Sequence, residues 1–323
     1  MIDNKTDKKL TAVISFLNEG EEVRRTVESI LEFSEDNVDI IVINDGSHTL
    51  YDYEEMLKPF ENVTYFRNEK RLGVATCRDM GVELAKTPYF ILLDSHMRFY
   101  KTGWVDKIVN LLEEDDRRIF CCQTKALEKD ESEEVVPKKA KTVFGARINL
   151  TDDEIMVDPK WISDRNHDPD SDVVDIPCVL GASYSSSKRY WKYLRGYEGL
   201  RLYGYEEPYI SMKAWLEGGR CCLIKDIEVG HIYRRRSPYR IAYDEPMYNR
   251  MLIATLLLPE DLRQRVFENC RKRDEKTFGI ASKLLEDNKQ KIEELRKYYQ
   301  TIFRRDFDFI KQLNDIGSKQ FST

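Results

Sequence analysis

No apolar run in the 323 residues approaches the ~18 that a bilayer-crossing helix needs, and the stretch from Met1 to Lys9 is polar and charged, unlike a secretion leader. The chain is therefore expected to be cytoplasmic, reaching any membrane-bound substrate without a span of its own. Cysteines number seven, an odd count without a Cys-x-x-Cys pair, so neither a disulfide framework nor a cysteine zinc site is expected. Cys121-Cys122 and Cys221-Cys222 lie inside apolar runs and read as reduced, buried thiols. A net charge of -6 spread along the chain excludes dependence on a broad nucleic-acid-binding face and leaves only a local basic groove. A Gly-rich, basic phosphate loop after the first strand is also missing, because Leu17-Asn18-Glu19-Gly20-Glu21-Glu22 is acidic. Histidine is scarce. The chain has four, and two of them, His96 and His231, sit beside strand-like runs.

The length suits one large domain with an appendage. The first half alternates strand and helix signals, which predicts an α/β layout with a mostly parallel central sheet. Strands are expected at Leu10–Phe16, Val38–Ile43, Val63–Arg67, the run ending at Leu93, and Ile119–Gln123, with helices over about 21–33, 73–86 and 104–114. From Glu128 to Asp175 the pattern gives way to a charged stretch with few apolar anchors, expected to be a long functional or disordered loop. Helices are expected near 188–194 and 207–217. After Tyr239 the sequence turns helical over 247–258, 259–272 and 283–303.

The run Phe90-Ile91-Leu92-Leu93 stops abruptly at Asp94-Ser95-His96. A continuous apolar run is how a buried parallel strand reads, and the point where it stops is the carboxyl edge, where open α/β sheets place ligands. Asp94 and His96 are two apart, so on a strand period both face one way and offer an oxygen and an imidazole nitrogen to a divalent ion. Asp94 as the cap of a following helix, with His96 a plain loop residue, is the alternative on these residues alone. A third ligand tips the choice: Gly230-His231 follows the apolar run Cys221–Ile224 and leads into Tyr233-Arg234-Arg235-Arg236-Ser237-Pro238-Tyr239.

Taken in order, these pieces resemble a GT-A-type glycosyltransferase, and within that class the polypeptide N-acetylgalactosaminyltransferases. The likeness runs through Ile14-Ser15-Phe16-Leu17-Asn18-Glu19, Ile43-Asn44-Asp45-Gly46-Ser47, Arg67-Asn68-Glu69-Lys70-Arg71-Leu72-Gly73 and Leu93-Asp94-Ser95-His96. It continues at Leu180-Gly181-Ala182-Ser183-Tyr184, Tyr203-Gly204-Tyr205-Glu206-Glu207 and Gly230-His231, ending with Asn249-Arg250. The resemblance implies a Rossmann-like GT-A catalytic domain over 1–240 and a helical C-terminal region over 241–323. Without a lectin-like domain or an anchor, it points to a bacterial or phage relative.

The resemblance also implies roles. Asp94, His96 and His231 would hold Mn2+, or Mg2+, against the diphosphate of a UDP-sugar donor. Ser15 and Asp45 would hold the uridine, and Arg71 would bind the donor. Gly181, Ala182 and Tyr203 would line the sugar site, with Glu206 on the sugar hydroxyls, and Arg234 and Tyr239 would belong to a loop closing over the nucleotide. A plain turn residue at Asp45 and solvated charges at Arg71 and Arg234 are the alternatives. Transfer to a hydroxyl acceptor with retained configuration is expected. An inverting enzyme would instead need an acidic base, Glu206 or Glu207. A sugar-nucleotide nucleotidyltransferase and a non-catalytic sugar-nucleotide-binding protein are the other readings. Glu207, Pro208-Tyr209, Tyr203 and Ala182 depart from the family pattern around the sugar, leaving the sugar open. The acceptor is open among a glycan, a protein hydroxyl, a lipid-linked sugar and a modified nucleic-acid base.

Overall fold

The structure, a computed structural model, describes residues 8–127, 142–151, 154–163, 170–234, 238–242 and 244–320. Its first part alternates β1 (Leu10–Phe16), α1 (Glu22–Phe33), β2 (Val38–Asn44), α2 (Tyr53–Leu57), β3 (Val63–Arg67), α3 (Val74–Leu84) and β4 (Tyr89–Leu93). There follow β5 (Met97–Phe99), α4 (Trp104–Glu114), β6 (Arg118–Ala126), β7 (Thr142–Val143), β8 (Ala146–Thr151), β9 (Glu154–Trp161), β10 (Val173–Asp175), β11 (Ser183–Ser187), α5 (Lys188–Tyr193), α6 (Glu206–Glu217) and β12 (Arg220–His231). The chain closes with α7 (Asp244–Leu257), α8 (Glu260–Arg273), α9 (Glu275–Asp287), α10 (Lys289–Ile302) and α11 (Phe307–Gln320).

Apolar strands bury both faces because the side-chain period is two. In β4, Ile91 and Leu93 join a core with Val23, Val27 and Ile30 of α1 and Ile108 of α4. Phe90 and Leu92 join the other core, with Ala75 and Val82 of α3. The main path of the sheet is β10-β12-β6-β11-β4-β1-β2-β3. β1 is parallel to β2 and β4, β2 to β3, and β6 to β12. β11 runs antiparallel to both β4 and β6, so β6 and β12 point the same way as β4. The carboxyl ends of six strands therefore emerge at one edge, and antiparallel β11 begins there. This topology gathers the ends of β1, β2, β4 and β12 and the 181–182 lead into β11.

Four expectations need correction. The stretch read as a loop from Glu128 to Asp175 contains β7 and the antiparallel hairpin β8–β9, with β10 pairing on β12; residues 128–141 lie outside the described residues. The hairpin escapes a pattern reading because β9 is not a regular strand. Ile148 faces Pro159 and Leu150 faces Ile155, so Met156, Val157 and Asp158 stand opposite Asn149 alone, with Val157 at a φ of 51°. Such a bulge breaks the alternation that betrays a strand. Second, His231 does not follow its strand but ends it, because β12 passes through a register shift between Ile224 and Glu228 and continues. Third, Asp94 and His96 are not two residues of one strand. They lie in the connection between β4 and β5, and no helix follows for Asp94 to cap. Fourth, the helix expected over 283–303 is two helices, α9 and α10, broken at Asn288, and α11 follows.

α7 is buried on nearly every side, with Met247, Met251, Leu252, Ile253 and Ala254 in the same core as Phe90 and Leu92 of β4. The Met, Leu and Ile side chains among them each contribute about 1.5–3 kcal/mol by leaving water, which binds α7 to the sheet.

Candidate active site

The common strand edge opens into a cleft of about 550 Å³ lined by residues of β1, β9, α3, the 202–207 turn and the end of β12. At its floor Asp94, His96 and His231 meet. His231 Nε2 is 3.1 Å from His96 Nε2 and 3.2 Å from Asp94 Oδ2. One ligand atom from each lies within 4.8 Å of the others. Ligands bound at about 2.1 Å at right angles lie about 3 Å apart, so these separations suit a divalent ion.

The surroundings of the trio are polar: His96 Nδ1 lies 3.2 Å from Glu19 Oε2 and 3.3 Å from Arg234 Nη1, while its Nε2 faces His231. Burial pushes the His231 imidazole down in spite of Asp94, and among the described residues its buried Nδ1 has no partner. Burial alone would raise the Asp94 carboxyl, but the His231 hydrogen bond and the Arg78 guanidinium overcome it and hold Asp94 well below the usual carboxylate range. Mixed carboxylate and imidazole donors fit Mn2+.

Arg78 and Glu19 were given no role by sequence reasoning. Arg78, on α3 and almost fully buried, donates through Nη2 to Asp94 Oδ1 (2.8 Å) and the Gly181 carbonyl (2.9 Å), and through Nη1 to the Tyr184 hydroxyl (3.2 Å). A signal was available: Arg78 falls three residues after Ala75 and three before Gly81, on the buried stripe of its helix. Glu19, just past β1, accepts from Arg234 Nη1 (2.8 Å to Oε1) as well as facing His96. Its only signal was its place after a strand end.

The other expected residues are distributed as follows. Ser15 lines the cleft with its Oγ buried and, among the described residues, without a partner. Asp45 also lines it, but its carboxylate accepts from Asn68 Nδ2 (2.9 Å), Leu72 N (2.7 Å) and Gly73 N (2.8 Å), and so holds the 68–73 loop. Gly73 sits at a φ of 96° with Leu202 so near that a Cβ would fall 2.2 Å from its Cα, which no other residue tolerates. Arg71 is not a solvated charge. It forms a two-pronged ion pair with Glu245 of α7 and stacks over Tyr239. Tyr203 meets Tyr239 edge to face at 6.3 Å, and both line the cleft.

Ala182 accepts from the Asp94 amide through its carbonyl, and Gly181 is pressed against Glu207, whose Oε1 would lie 1.9 Å from a Cβ at Gly181. Both oxygens of Glu206 accept from the Gly204 amide at 3.0 Å. Burial, then the neighbouring Glu207, pushes the Glu206 carboxyl up to about 8; burial raises Glu207 too, against Arg78. Of the basic loop, Arg234 is in the cleft with Pro238 and Tyr239, while Arg235, Arg236 and Ser237 lie outside the described residues.

Residues 11–165 match the family described as Glycosyl transferase family 2. The chain is 27% identical to polypeptide N-acetylgalactosaminyltransferase 4 of Mus musculus, covering 71% of this chain and 40% of that one. To the Homo sapiens enzyme numbered 10 it is 28% identical, over 71% of this chain and 38% of the relative. The fold is also that of a solved structure described as GalNAc-T7 with UDP, GalNAc and Mn2+, at a TM-score of 0.75 and 20% identity, over 97% of this chain and 58% of that one. The fold is GT-A. This GT-A chain resembles the polypeptide N-acetylgalactosaminyltransferases, as its motifs indicated, and spans about two fifths of the length of the curated relatives it matches. Among the described residues no helix is long and apolar enough to cross a membrane.

Proposed function

We propose that the protein transfers a sugar from a UDP-sugar to a hydroxyl acceptor with the help of a divalent metal ion. The convergence of Asp94, His96 and His231 at the sheet edge, inside a cleft, carries this reading. It is supported by the likeness to proteins named as glycosyltransferases and to a structure described with UDP and Mn2+. A bound Mn2+ or Mg2+ supplies positive charge where the leaving diphosphate becomes negative. The chain's own residues do the rest. Arg78 fixes the Asp94 carboxylate, Glu19 faces His96, and Arg234 brings a guanidinium to the same place, suited to a phosphate oxygen. Ser15 stands at the cleft to hold the uridine, and Asp45 shapes the loop beside it.

Retention of configuration is the outcome we favour over inversion. An inverting base must face the acceptor, whereas both Glu206 oxygens hold the Gly204 amide and Glu207 is pressed against Gly181. We assign residues 1–240 to the catalytic domain and 241–323 to a helical region that supports it. The seven cysteines are all buried and free, which suits the cytoplasm. The test is UDP release from a panel of UDP-sugars with Mn2+ and with chelator. Metal-dependent release from one sugar is expected, and its anomer, read by proton NMR, decides between retention and inversion. Absence of release from every donor overturns the proposal.

A further inference from the structure

The chain has four tryptophans, and Trp104, Trp191 and Trp215 are each 3% exposed. Trp161 is 63% exposed, yet it lines the cleft. The hairpin that carries it does not need it for anchorage. Ile148, Met156, Val157 and Ile162 are buried, and Asp158 is held by the Tyr205 hydroxyl and Arg250. The indole meets Tyr233 edge to face at 5.1 Å, and Tyr233 meets His231 at 4.4 Å. Two ring contacts thus separate Trp161 from the proposed metal site. The bulge at Val157, a β-branched residue in the left-handed region, is a strained device of the kind that re-aims side chains at functional sites.

We propose that Trp161 is the platform for a neutral glycan acceptor, a proposal that rests on the sugar-transfer reading and names its acceptor class. A pyranose shows one face of polarised C–H groups and a rim of hydroxyls. The electron-rich indole face attracts the former, and the Asp158 carboxylate and the Tyr203 hydroxyl in the same cleft offer oxygens to the latter.

Because the other three tryptophans are buried, iodide quenching of intrinsic fluorescence reads Trp161 nearly alone. With the full chain in Mn2+ and UDP, at least one of chitotriose, maltotriose and lactose is expected to lower the quenching constant at least about 2-fold, and the quenchable component should vanish in W161F. In W161A the KM for that oligosaccharide should rise about 10-fold, and in W161F about 3-fold, against a less than about 2-fold change in the KM for the UDP-sugar. Protection by a Ser/Thr-rich peptide or a single-stranded oligonucleotide but by none of the sugars overturns the proposal, as does protection by nothing. So does an acceptor KM that W161A leaves unchanged. Failure of the wild type to release UDP from any donor would instead count against the sugar-transfer reading, and the quenching result is read independently of it.

Discussion

At the floor of the cleft, Asp94, His96 and His231 touch one another and are braced by Arg78 and Glu19, whereas at its rim Trp161 stands exposed on a two-stranded hairpin. The floor is assembled from β4, β12, α3 and the end of β1, elements locked together by two hydrophobic cores. Its polar groups find one another inside the protein, so its geometry is set before a ligand arrives. The rim leaves an aromatic face unspent. The difference teaches that the charged groups of a site can be fixed in a pre-paired floor while an exposed segment beside it stays free to change without disturbing them.

Substitutions at the floor test this contrast most severely. His231→Ala or Asp94→Asn should lower UDP-sugar turnover by at least about 10-fold and weaken Mn2+ binding, measured by calorimetry. If W161A weakened Mn2+ binding comparably, the distinction between floor and rim would be lost. Arg78→Ala should cost about 3 kcal/mol of folding stability, measured by denaturant titration, because it leaves the Asp94 carboxylate without its buried counter-ion. Arg78→Lys should recover only part of this, since an ammonium cannot span Asp94, Gly181 and Tyr184 together. A full recovery would mean that charge, not the shape of the fork, holds the floor.

Glu19→Gln should weaken Mn2+ binding about 10-fold, since it removes the negative charge that faces His96 and holds Arg234. An unchanged affinity would separate Glu19 from the floor. The smallest effect belongs to Glu206. Its folded carboxyl titrates near 8 against a usual 4.5, so the folded state holds the proton more tightly. That contribution is complete below about pH 4.5 and is lost as the pH rises through about 8. Melting temperature in Glu206→Gln should therefore fall less steeply between pH 6 and pH 9 than in the wild type, and parallel curves would show that Glu206 is ionised throughout.

The floor was more legible than the rim for a physical reason. His96 and His231 are two of only four histidines, Asp94 stands where an apolar run stops, and a buried parallel strand announces both itself and its carboxyl end. Arg78 was hidden because an arginine in a helix usually faces water, although its spacing from Ala75 and Gly81 put it on the buried stripe. The hairpin was hidden more deeply. Met156 and Val157 are both buried, Pro159, Lys160 and Trp161 are all exposed, and neither period survives the bulge.

The sequence by itself determined the central strands, most of the helices around them and the candidacy of Asp94, His96 and His231, because local apolar periodicity and residue chemistry at strand ends need no knowledge of distant contacts. Only the tertiary structure decided that His231 reaches Asp94 across 137 positions of chain, that Glu19 and Arg78 brace the trio, and that Trp161 stands at the cleft. Those facts depend on strand order and on the antiparallel insertion of β11, which are settled by packing the whole sheet.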